Sequence, residues 1–177
     1  MRIVLLGFMG AGKSSVGRIL AKLSGLRFVD LDACIEVEEG LSVPAIFQKH
    51  GEPAFRRKEA KALQSELRSD DVVIASGGGV VTSEEGRKLI ADLPYVVYLE
   101  ARFESIETRL QNDTKRPLWK NREAARDLYF QRAPIYGALA KYRVSTDGRT
   151  PREVALEIFH AIGLTKENGH RAHSRKH

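Results

Sequence analysis

The chain contains 177 residues, 42% of them hydrophobic and 29% charged, and carries a formal net charge of +6. This length and composition predict one folded domain and exclude a largely disordered chain. The longest apolar runs fall far short of the ~20 residues that span a bilayer, and the N-terminus lacks the apolar stretch of a signal peptide. A single cysteine, Cys34, cannot form an internal disulfide, which agrees with a reducing compartment. We therefore expect a cytoplasmic protein that does not contact membranes.

The first predicted strand, Ile3–Leu6, leads into a phosphate-binding loop. Residues Gly7–Ser14 read GFMGAGKS and satisfy the pattern G-x-x-x-x-G-K-[ST] in full. Their glycines let successive backbone N–H groups point at phosphate oxygens, and the helix that follows adds the positive end of its dipole. In such a loop Lys13 binds the β- and γ-phosphates and the Ser14 hydroxyl binds Mg²⁺. The helix itself is predicted from apolar residues at helical spacing: Val16, Ile19, Leu20 and Leu23.

Two aspartates lie at the end of the second predicted strand, Phe28–Leu31. The alternation of an extended chain puts Asp30 and Asp32 on the same side, about 6–7 Å apart. One carboxylate can then serve the metal while the other faces an acceptor hydroxyl. Aspartates at strand ends also commonly cap helices, so the pair taken alone leaves both interpretations open.

A charged and mostly helical insertion, residues 32–68, precedes the third predicted strand, Val72–Ala75. That strand has no acid at its tip, where many ATPases keep a magnesium carboxylate, and it runs instead into the glycine triplet Gly77–Gly79. A second polar excursion occupies about residues 111–123. We expect both excursions on the carboxyl-end side of the sheet, where open α/β proteins bind ligands.

The remaining elements complete an alternating pattern that predicts a parallel α/β sheet of five strands. The last two strands are Val96–Leu99 and Tyr142–Ser145. The final helix is marked by a capping box of Thr150 and Glu153 and by Pro151 at its first position. Gly163, which follows Ile162, is predicted to end this helix.

Residues 165–177 differ from the rest of the chain because they have no apolar periodicity. Their charged residues are mostly basic: Lys166, Arg171, Arg175 and Lys176, against the acid Glu167. We predict a disordered basic tail after a single domain of residues 1–164. The tail has no aromatic residues to stack on bases, so we expect no nucleic-acid binding. The modest positive charge of the remainder suits anionic small molecules such as ATP and a carboxylate.

Six sequence features, in this order and at these separations, resemble those of the shikimate kinase family. They are Gly7–Ser14, Asp30-Leu31-Asp32, Gly51-Glu52 with Phe55-Arg56-Arg57, Gly77–Gly79, Arg116-Pro117-Leu118, and Arg132-Ala133-Pro134 with Tyr136. The resemblance covers the chain from the phosphate loop to about Gly163. It implies a P-loop fold of the nucleoside-monophosphate-kinase type, in which helices flank a five-stranded parallel sheet. It further implies a substrate-binding insertion at about residues 32–68 and a mobile lid at about residues 111–123.

The reaction implied by this resemblance is phosphorylation of the 3-hydroxyl of shikimate by ATP and Mg²⁺, a step of aromatic amino-acid biosynthesis through chorismate, in a monomeric enzyme. The implied catalytic residues are Asp32, Lys13 and Arg116. The implied substrate-binding residues are Asp32, Arg56, Gly78, Gly79, Arg132, Phe47, Phe55 and Glu59. The implied ATP-binding residues are Gly10, Ala11, Gly12, Lys13, Ser14, Ser15, Arg109, Arg116, Arg149 and Pro151. For the metal, the resemblance implies direct binding by Ser14 and binding through water by Asp30.

Three alternative functions follow from the same residues. One is a kinase on the same scaffold that acts on gluconate or a nucleoside monophosphate, and another is an inactive nucleotide-binding module. The third, RNA binding through the tail, has no stacking residues to support it. A planar carboxylate needs the forked donors of arginine, so Arg56 and Arg132 favour a small carboxylated polyol over a nucleotide base. Retention of Lys13, Asp32 and Arg116 argues against an inactive module.

Overall fold

Five parallel strands form one sheet, as the alternating pattern of the sequence predicts. The computed structural model describes residues 1–111 and 121–164. The strands are β1 (Arg2–Leu6), β2 (Arg27–Asp30), β3 (Val72–Ala75), β4 (Tyr95–Glu100) and β5 (Tyr142–Ser145). They pair in the order β2-β3-β1-β4-β5, and every pairing is parallel. The predicted fold class is confirmed, and the predicted strand ends differ from the observed ones by at most one residue.

Helices cover both faces of the sheet. They are α1 (Lys13–Ser24), α2 (Leu31–Glu39), α3 (Val43–His50), α4 (Glu52–Glu66), α5 (Glu84–Ala91), α6 (Phe103–Leu110), α7 (Arg122–Leu139) and α8 (Pro151–Ala161). A short 3₁₀ turn, Val80–Thr82, follows β3. The predicted insertion consists of α2, α3 and α4. Within residues 1–111 and 121–164, no helix combines the length and apolarity needed to cross a membrane.

Two hydrophobic cores lie on opposite faces of the sheet. Along β1, Val4 and Leu6 face the core shared with α4, α5 and α7, whereas Ile3 and Leu5 face the core shared with α1 and α8. All four side chains are fully buried. Because both faces are covered, the three central strands β1, β3 and β4 consist mainly of continuous apolar runs, as is usual for parallel sheets. Burial of each such side chain stabilises the folded state by ~1.5–3 kcal/mol. The sheet therefore holds the loops at its carboxyl end in fixed positions.

The last helix has the predicted cap at its start and a well-defined end. The Thr150 hydroxyl accepts a hydrogen bond from the Glu153 N–H, and the Glu153 carboxylate accepts one from the Thr150 N–H at 2.7 Å. At the other end Gly163 has a φ of 74°, a left-handed conformation that favours glycine. The N–H groups of Gly163 and Leu164 then bond back to the helix, at 3.0 Å each, to carbonyls that the helix end would leave unpaired.

The second strand ends one residue earlier than predicted. Leu31 begins α2, and Asp30 is its N-cap, with a side chain that accepts a hydrogen bond from the Ala33 N–H at 3.4 Å. Asp32 therefore lies in the first turn of a helix, and the prediction that Asp30 and Asp32 alternate along an extended chain is wrong. A carboxylate at this point satisfies an N–H group that every helix start leaves unpaired, which is why capping takes precedence over strand continuation.

Two predicted segments fall on residues that the structure does not describe. They are the basic tail, residues 165–177, and residues 112–120 of the predicted lid, which include Arg116.

Candidate active site

A cleft of about 1090 Å³ opens at the carboxyl end of the sheet. The phosphate loop forms one wall, the insertion helices α2, α3 and α4 form another, and the glycine turn after β3 lies between them. Residues of α7 and of the connection between β5 and α8 complete the lining. Loops at the carboxyl ends of parallel strands form ligand sites throughout the open α/β proteins, so this cleft is the candidate active site.

The phosphate loop curls because glycines occupy its left-handed positions. Gly10 and Gly12 have φ values of 75° and 98°, and a Cβ at Gly10 would come within 2.9 Å of the Leu110 side chain. α1 begins immediately afterwards at Lys13. The Lys13 ammonium donates hydrogen bonds to the carbonyls of Gly7 at 2.7 Å and Phe8 at 2.9 Å. The start of α1 and this ammonium together make the loop a site for phosphate groups.

Oxygen donors suited to a hard cation meet where the loop contacts the end of β2. The Ser14 hydroxyl donates a hydrogen bond to Asp30 Oδ2 at 2.5 Å. Magnesium in nucleotide sites is typically bound by one or two protein oxygens, by waters and by phosphates, rather than by an all-protein cage. Among the described residues, no group of three or more His, Cys, Asp or Glu side chains could hold a metal ion. The Ser14 and Asp30 oxygens therefore fit Mg²⁺ that arrives with a nucleotide.

A buried ion pair on α4 faces the opposite end of the cleft. Arg56 Nη1 donates to Glu59 Oε2 at 2.5 Å, and its Nη2 donates to Glu52 Oε1 at 3.0 Å. The Glu59 side chain is 0% exposed, and its Oε1 has no hydrogen-bond partner among the described residues. Burial raises the pKa of Glu59 to about 7, against the opposing charge of Arg56. An unpaired oxygen so deeply buried is costly, and it indicates a place where a bound ligand or water completes the hydrogen bonding.

The glycine turn packs directly on this ion pair. A Cβ on Gly77 would lie 2.0 Å from Glu59 Oε1 and 2.7 Å from Asp32 Oδ1. A Cβ on Gly79 would lie 2.1 Å from the Arg56 guanidinium carbon. Neither position tolerates a side chain without displacing a charged group, because real Cβ contacts do not approach so closely. The sequence analysis identified a glycine turn, but it did not assign a role to Gly77.

A second guanidinium enters the cleft from α7. Arg132 is 6% exposed, and its Nε has no hydrogen-bond partner among the described residues. Burial lowers the pKa of Arg132, and the nearby Arg56 charge acts in the same direction. The buried Arg132, with an unpartnered donor, and the partly buried Arg56 define a corner of the cleft that favours a planar anion such as a carboxylate.

An apolar wall lies beside these cations. The rings of Phe47 and Phe55 are 4.7 Å apart between centroids, and the Arg56 guanidinium lies 5.5 Å and 5.3 Å from their centres. Phe55 is fully buried, whereas Phe47 is partly exposed in the cleft with Val43 and Pro44 beside it. The wall combines a ring face with a charged edge and is suited to a small ring that carries a carboxylate.

At the end of the cleft away from Arg56 and Arg132, hydrogen bonds from Arg109 join two segments of the chain. Its Nη1 donates to the Gly10 carbonyl at 3.2 Å, and its Nη2 donates to the Thr146 carbonyl at 2.8 Å. Arg149 forms an ion pair with Glu157 at 2.5 Å and donates to the Ser145 carbonyl at 3.1 Å. Arg109 thus connects the phosphate loop to the segment after β5, where Arg149 and Pro151 line the cleft.

The structure brings together every site residue predicted from the sequence except Arg116, which lies outside the described residues. Those that line the cleft are Gly10, Ala11, Gly12, Lys13, Ser14, Ser15, Asp30, Asp32, Phe47, Phe55, Arg56, Glu59, Gly78, Gly79, Arg109, Arg132, Arg149 and Pro151. The sequence predicted no site role for Glu52, although it belongs to one of the six features, and none for Thr146. Glu52 lies four residues before Arg56 on one helix, a spacing that predicts such an ion pair. Thr146 contributes mainly a main-chain carbonyl, for which the sequence gives no signal.

Comparison with known proteins agrees with this arrangement. A family model described as shikimate kinase matches residues 9–163. A shikimate kinase from Geobacter metallireducens is 43% identical over 159 residues, which cover 88% of each chain. A solved structure of shikimate kinase from Acinetobacter baumannii in complex with shikimate has a TM-score of 0.87 and 37% identity, and it covers 91% of this chain and 92% of that chain. A gluconokinase from Sinorhizobium meliloti, with a TM-score of 0.64 and 20% identity, is alike in fold alone.

Proposed function

Because this chain belongs to the shikimate kinase family and transfers a phosphoryl group from ATP to the 3-hydroxyl of shikimate, we propose how the residues of the cleft divide that work. The observation that carries the proposal is the convergence of two guanidinium groups, Arg56 and Arg132, on the cleft that begins at the phosphate loop. The end formed by the phosphate loop is suited to phosphates, and the end with Arg56 and Arg132 is suited to a carboxylate. The acceptor hydroxyl is then held between them.

Asp32 is proposed to orient the acceptor hydroxyl and to accept its proton. It lines the cleft in the first turn of α2, between the phosphate loop and the glycine turn. Phosphoryl transfer passes through a loose transition state, so the enzyme mainly positions the reacting groups and neutralises charge. A carboxylate can therefore accept the proton late in the reaction, without a strongly raised pKa.

Arg56 and Arg132 are proposed to bind the substrate carboxylate, with the wall of Phe47 and Phe55 against the ring. The Glu59 carboxylate holds Arg56 in place through a hydrogen bond of 2.5 Å. The backbone of Gly78 and Gly79 approaches the same corner closely, because it carries no side chains. Forked, charge-assisted hydrogen bonds from arginine match the geometry of a carboxylate, which lysine cannot do.

Lys13 and the loop N–H groups are proposed to bind the phosphates of ATP. Ser14 would bind Mg²⁺ directly and Asp30 through water, and the ion would supply charge neutralisation at the β- and γ-phosphates. Arg116, outside the described residues, is proposed to reach the same phosphates. The family resemblance places Arg109, Arg149 and Pro151 around the adenine.

Further proposals concern the protein as a whole. We propose a cytoplasmic monomer that binds no nucleic acid and no membrane, with a single domain of residues 1–164 followed by a tail. The single cysteine and the modest charge outside the tail support these proposals.

ATP turnover should depend on shikimate and on Mg²⁺. An assay that couples ADP release to a readout, run with shikimate, gluconate and nucleoside monophosphates, checks this. We expect release above the no-acceptor background with shikimate alone, and loss of that release when EDTA removes the metal. Turnover with gluconate but not with shikimate would contradict the substrate assignment. Shikimate turnover that survives full metal chelation would contradict the metal assignment only.

Deletion of residues 165–177 should leave folding and kinetics nearly unchanged. The last helix is already closed by Gly163 and Leu164, and Leu164 is buried against the core of α1 and α8. Thermal unfolding of the full chain and of a chain that ends at Leu164 measures the difference. A fall of several degrees in Tm on deletion would show that the tail is docked, in contradiction of this proposal.

A further inference from the structure

Tyr136 is buried in the middle of α7 and carries a hydroxyl that touches the glycine turn. It is 1% exposed, and its hydroxyl donates a short hydrogen bond to the Gly78 carbonyl. Burial raises the pKa of this hydroxyl, against the opposing charge and hydrogen bond of Arg132, so it remains a proton donor at neutral pH. The residue belongs to one of the sequence features that indicated the family, but none of the roles above uses it.

The three carbonyls of the glycine turn are held in different ways. The Gly77 carbonyl accepts from the Val80 N–H at 3.3 Å, and the Gly79 carbonyl accepts from the Thr82 N–H at 2.9 Å. Both bonds are local and belong to the 3₁₀ turn that follows. The Gly78 carbonyl instead accepts from Tyr136, which is 58 residues away in the chain. Tyr136 therefore ties the turn to α7.

This bond fixes the orientation of one peptide unit. In a trans peptide the carbonyl of Gly78 and the N–H of Gly79 lie in one plane and point in opposite directions. Glycines on both sides leave such a unit unusually free to rotate, since no Cβ restricts it. With the carbonyl held by Tyr136, the Gly79 N–H points away from Tyr136. No acceptor for that N–H occurs among the described residues.

The Gly79 N–H lies close to the arginine corner. Gly79 packs so tightly on the Arg56 guanidinium that a Cβ would come within 2.1 Å of its central carbon. Arg132 precedes Tyr136 by one helical turn on α7 and lines the same cleft. One helix therefore supplies both a guanidinium for the corner and the hydroxyl that sets the adjacent backbone.

We propose that Tyr136 is a positioning residue, whose hydroxyl lies between the Gly78 carbonyl and the Arg132 guanidinium and fixes both, so that the Gly79 N–H is aimed at the same carboxylate site as Arg56 and Arg132. This inference rests on the proposed function of the cleft. The family resemblance already implies that Gly79 and both arginines bind the substrate, and the inference adds the residue that orients them.

The variant Tyr136→Phe tests the proposal with Tyr129→Phe as its matched control. Tyr129 lies on the same helix, and its hydroxyl donates to another main-chain carbonyl, that of Ala101, at 2.9 Å. Both changes keep the ring and remove one hydroxyl. We expect Tyr136→Phe to raise the KM for shikimate about three- to tenfold, the range for loss of one hydrogen bond, with the KM for ATP unchanged. Tyr129→Phe should leave both constants unchanged.

Thermal unfolding of both variants separates positioning from stability. We expect a fall in Tm for both variants, because each loses a hydroxyl that bonds a main-chain carbonyl, and a larger fall for the fully buried Tyr136 than for the half-buried Tyr129. Only Tyr136→Phe should change shikimate binding. Calorimetric titration of shikimate gives the same comparison without turnover. Equal shikimate constants for the two variants, or a parallel loss of ATP affinity in Tyr136→Phe, would overturn the inference while leaving the proposed function intact. Failure of the proposed function would show instead as an unmodified enzyme without shikimate turnover.

Discussion

Replacement of Lys13 by alanine should abolish most of the turnover and weaken ATP binding, whereas Asp32→Asn should abolish turnover and leave ATP binding intact. The two side chains lie in the same cleft, and we propose that they act on different substrates. Lys13 lies at the start of α1 beside the phosphate loop, where we propose that its charge acts on the phosphates of ATP. Loss of a preorganised group that stabilises transition-state charge typically costs about 10²–10³ in kcat.

The control for Lys13→Ala is Lys22→Ala. Lys22 lies in the last turn of the same helix and is exposed to solvent. The two variants lose the same methylene chain and the same charge from one helix. Isothermal calorimetry with a non-hydrolysable ATP analogue should show weaker binding to Lys13→Ala alone, and steady-state assays should show loss of turnover in that variant alone.

Asp32→Asn keeps the shape of the side chain and removes its negative charge. General-base assistance contributes typically about 10²–10⁴ to a rate, so we expect a fall of that order in kcat. Calorimetry should give an ATP affinity close to that of the unmodified enzyme. If Asp32→Asn instead weakened ATP binding and spared shikimate binding, Asp32 would belong to the nucleotide half of the cleft and its assignment would be reversed.

The second large effect is expected at Arg56. The change Arg56→Lys keeps the charge but loses the forked donors, which bond Glu59 and which we propose to bind the substrate carboxylate. Loss of one charge-assisted hydrogen bond costs ~1.5–3 kcal/mol, which corresponds to roughly a ten- to hundredfold weaker affinity for shikimate. ATP affinity should hardly change. Arg57→Lys is the control, because Arg57 is the adjacent residue on α4 and faces a different surface groove.

A shikimate analogue that lacks the carboxylate separates binding from packing. It should bind the unmodified enzyme poorly and should be almost indifferent to Arg56→Lys. An equal penalty for shikimate and for the analogue would mean that Arg56 acts through its network with Glu59 and the two phenylalanine rings. The carboxylate site would then have to be assigned to other residues.

Much of this protein could be predicted from its sequence because local signals and tertiary structure agree. The central strands β1, β3 and β4 are short apolar runs that suit a sheet buried on both faces, and β3 and β5 have the predicted bounds. The phosphate loop combines a strict pattern with a strand before it and a helix after it. The capping box of Thr150 and Glu153 likewise fixes the start of α8.

Other features depend on contacts between distant segments and leave little trace in the sequence. Asp30 is compatible with both a strand end and a helix cap, and only the placement of α2 decides between them. Position 77 requires glycine because a Cβ there would collide with the Glu59 carboxylate, which lies on α4. The bond from Tyr136 to the Gly78 carbonyl joins α7 to the turn after β3, and neither segment indicates the other.

The central position of β1 in the sheet affects how the chain folds during synthesis. This strand lies between β3 and β4, and Arg2 is paired with Val72. During synthesis the first strand leaves the ribosome about 70 residues before its first neighbour, a delay of about 4–14 s at ~5–20 residues per second. For that interval a strand whose last four residues are all apolar has neither of its final partners. Nascent chains stalled between β1 and β3 should therefore be the ones that recruit chaperones, and release past β4 should end that recruitment.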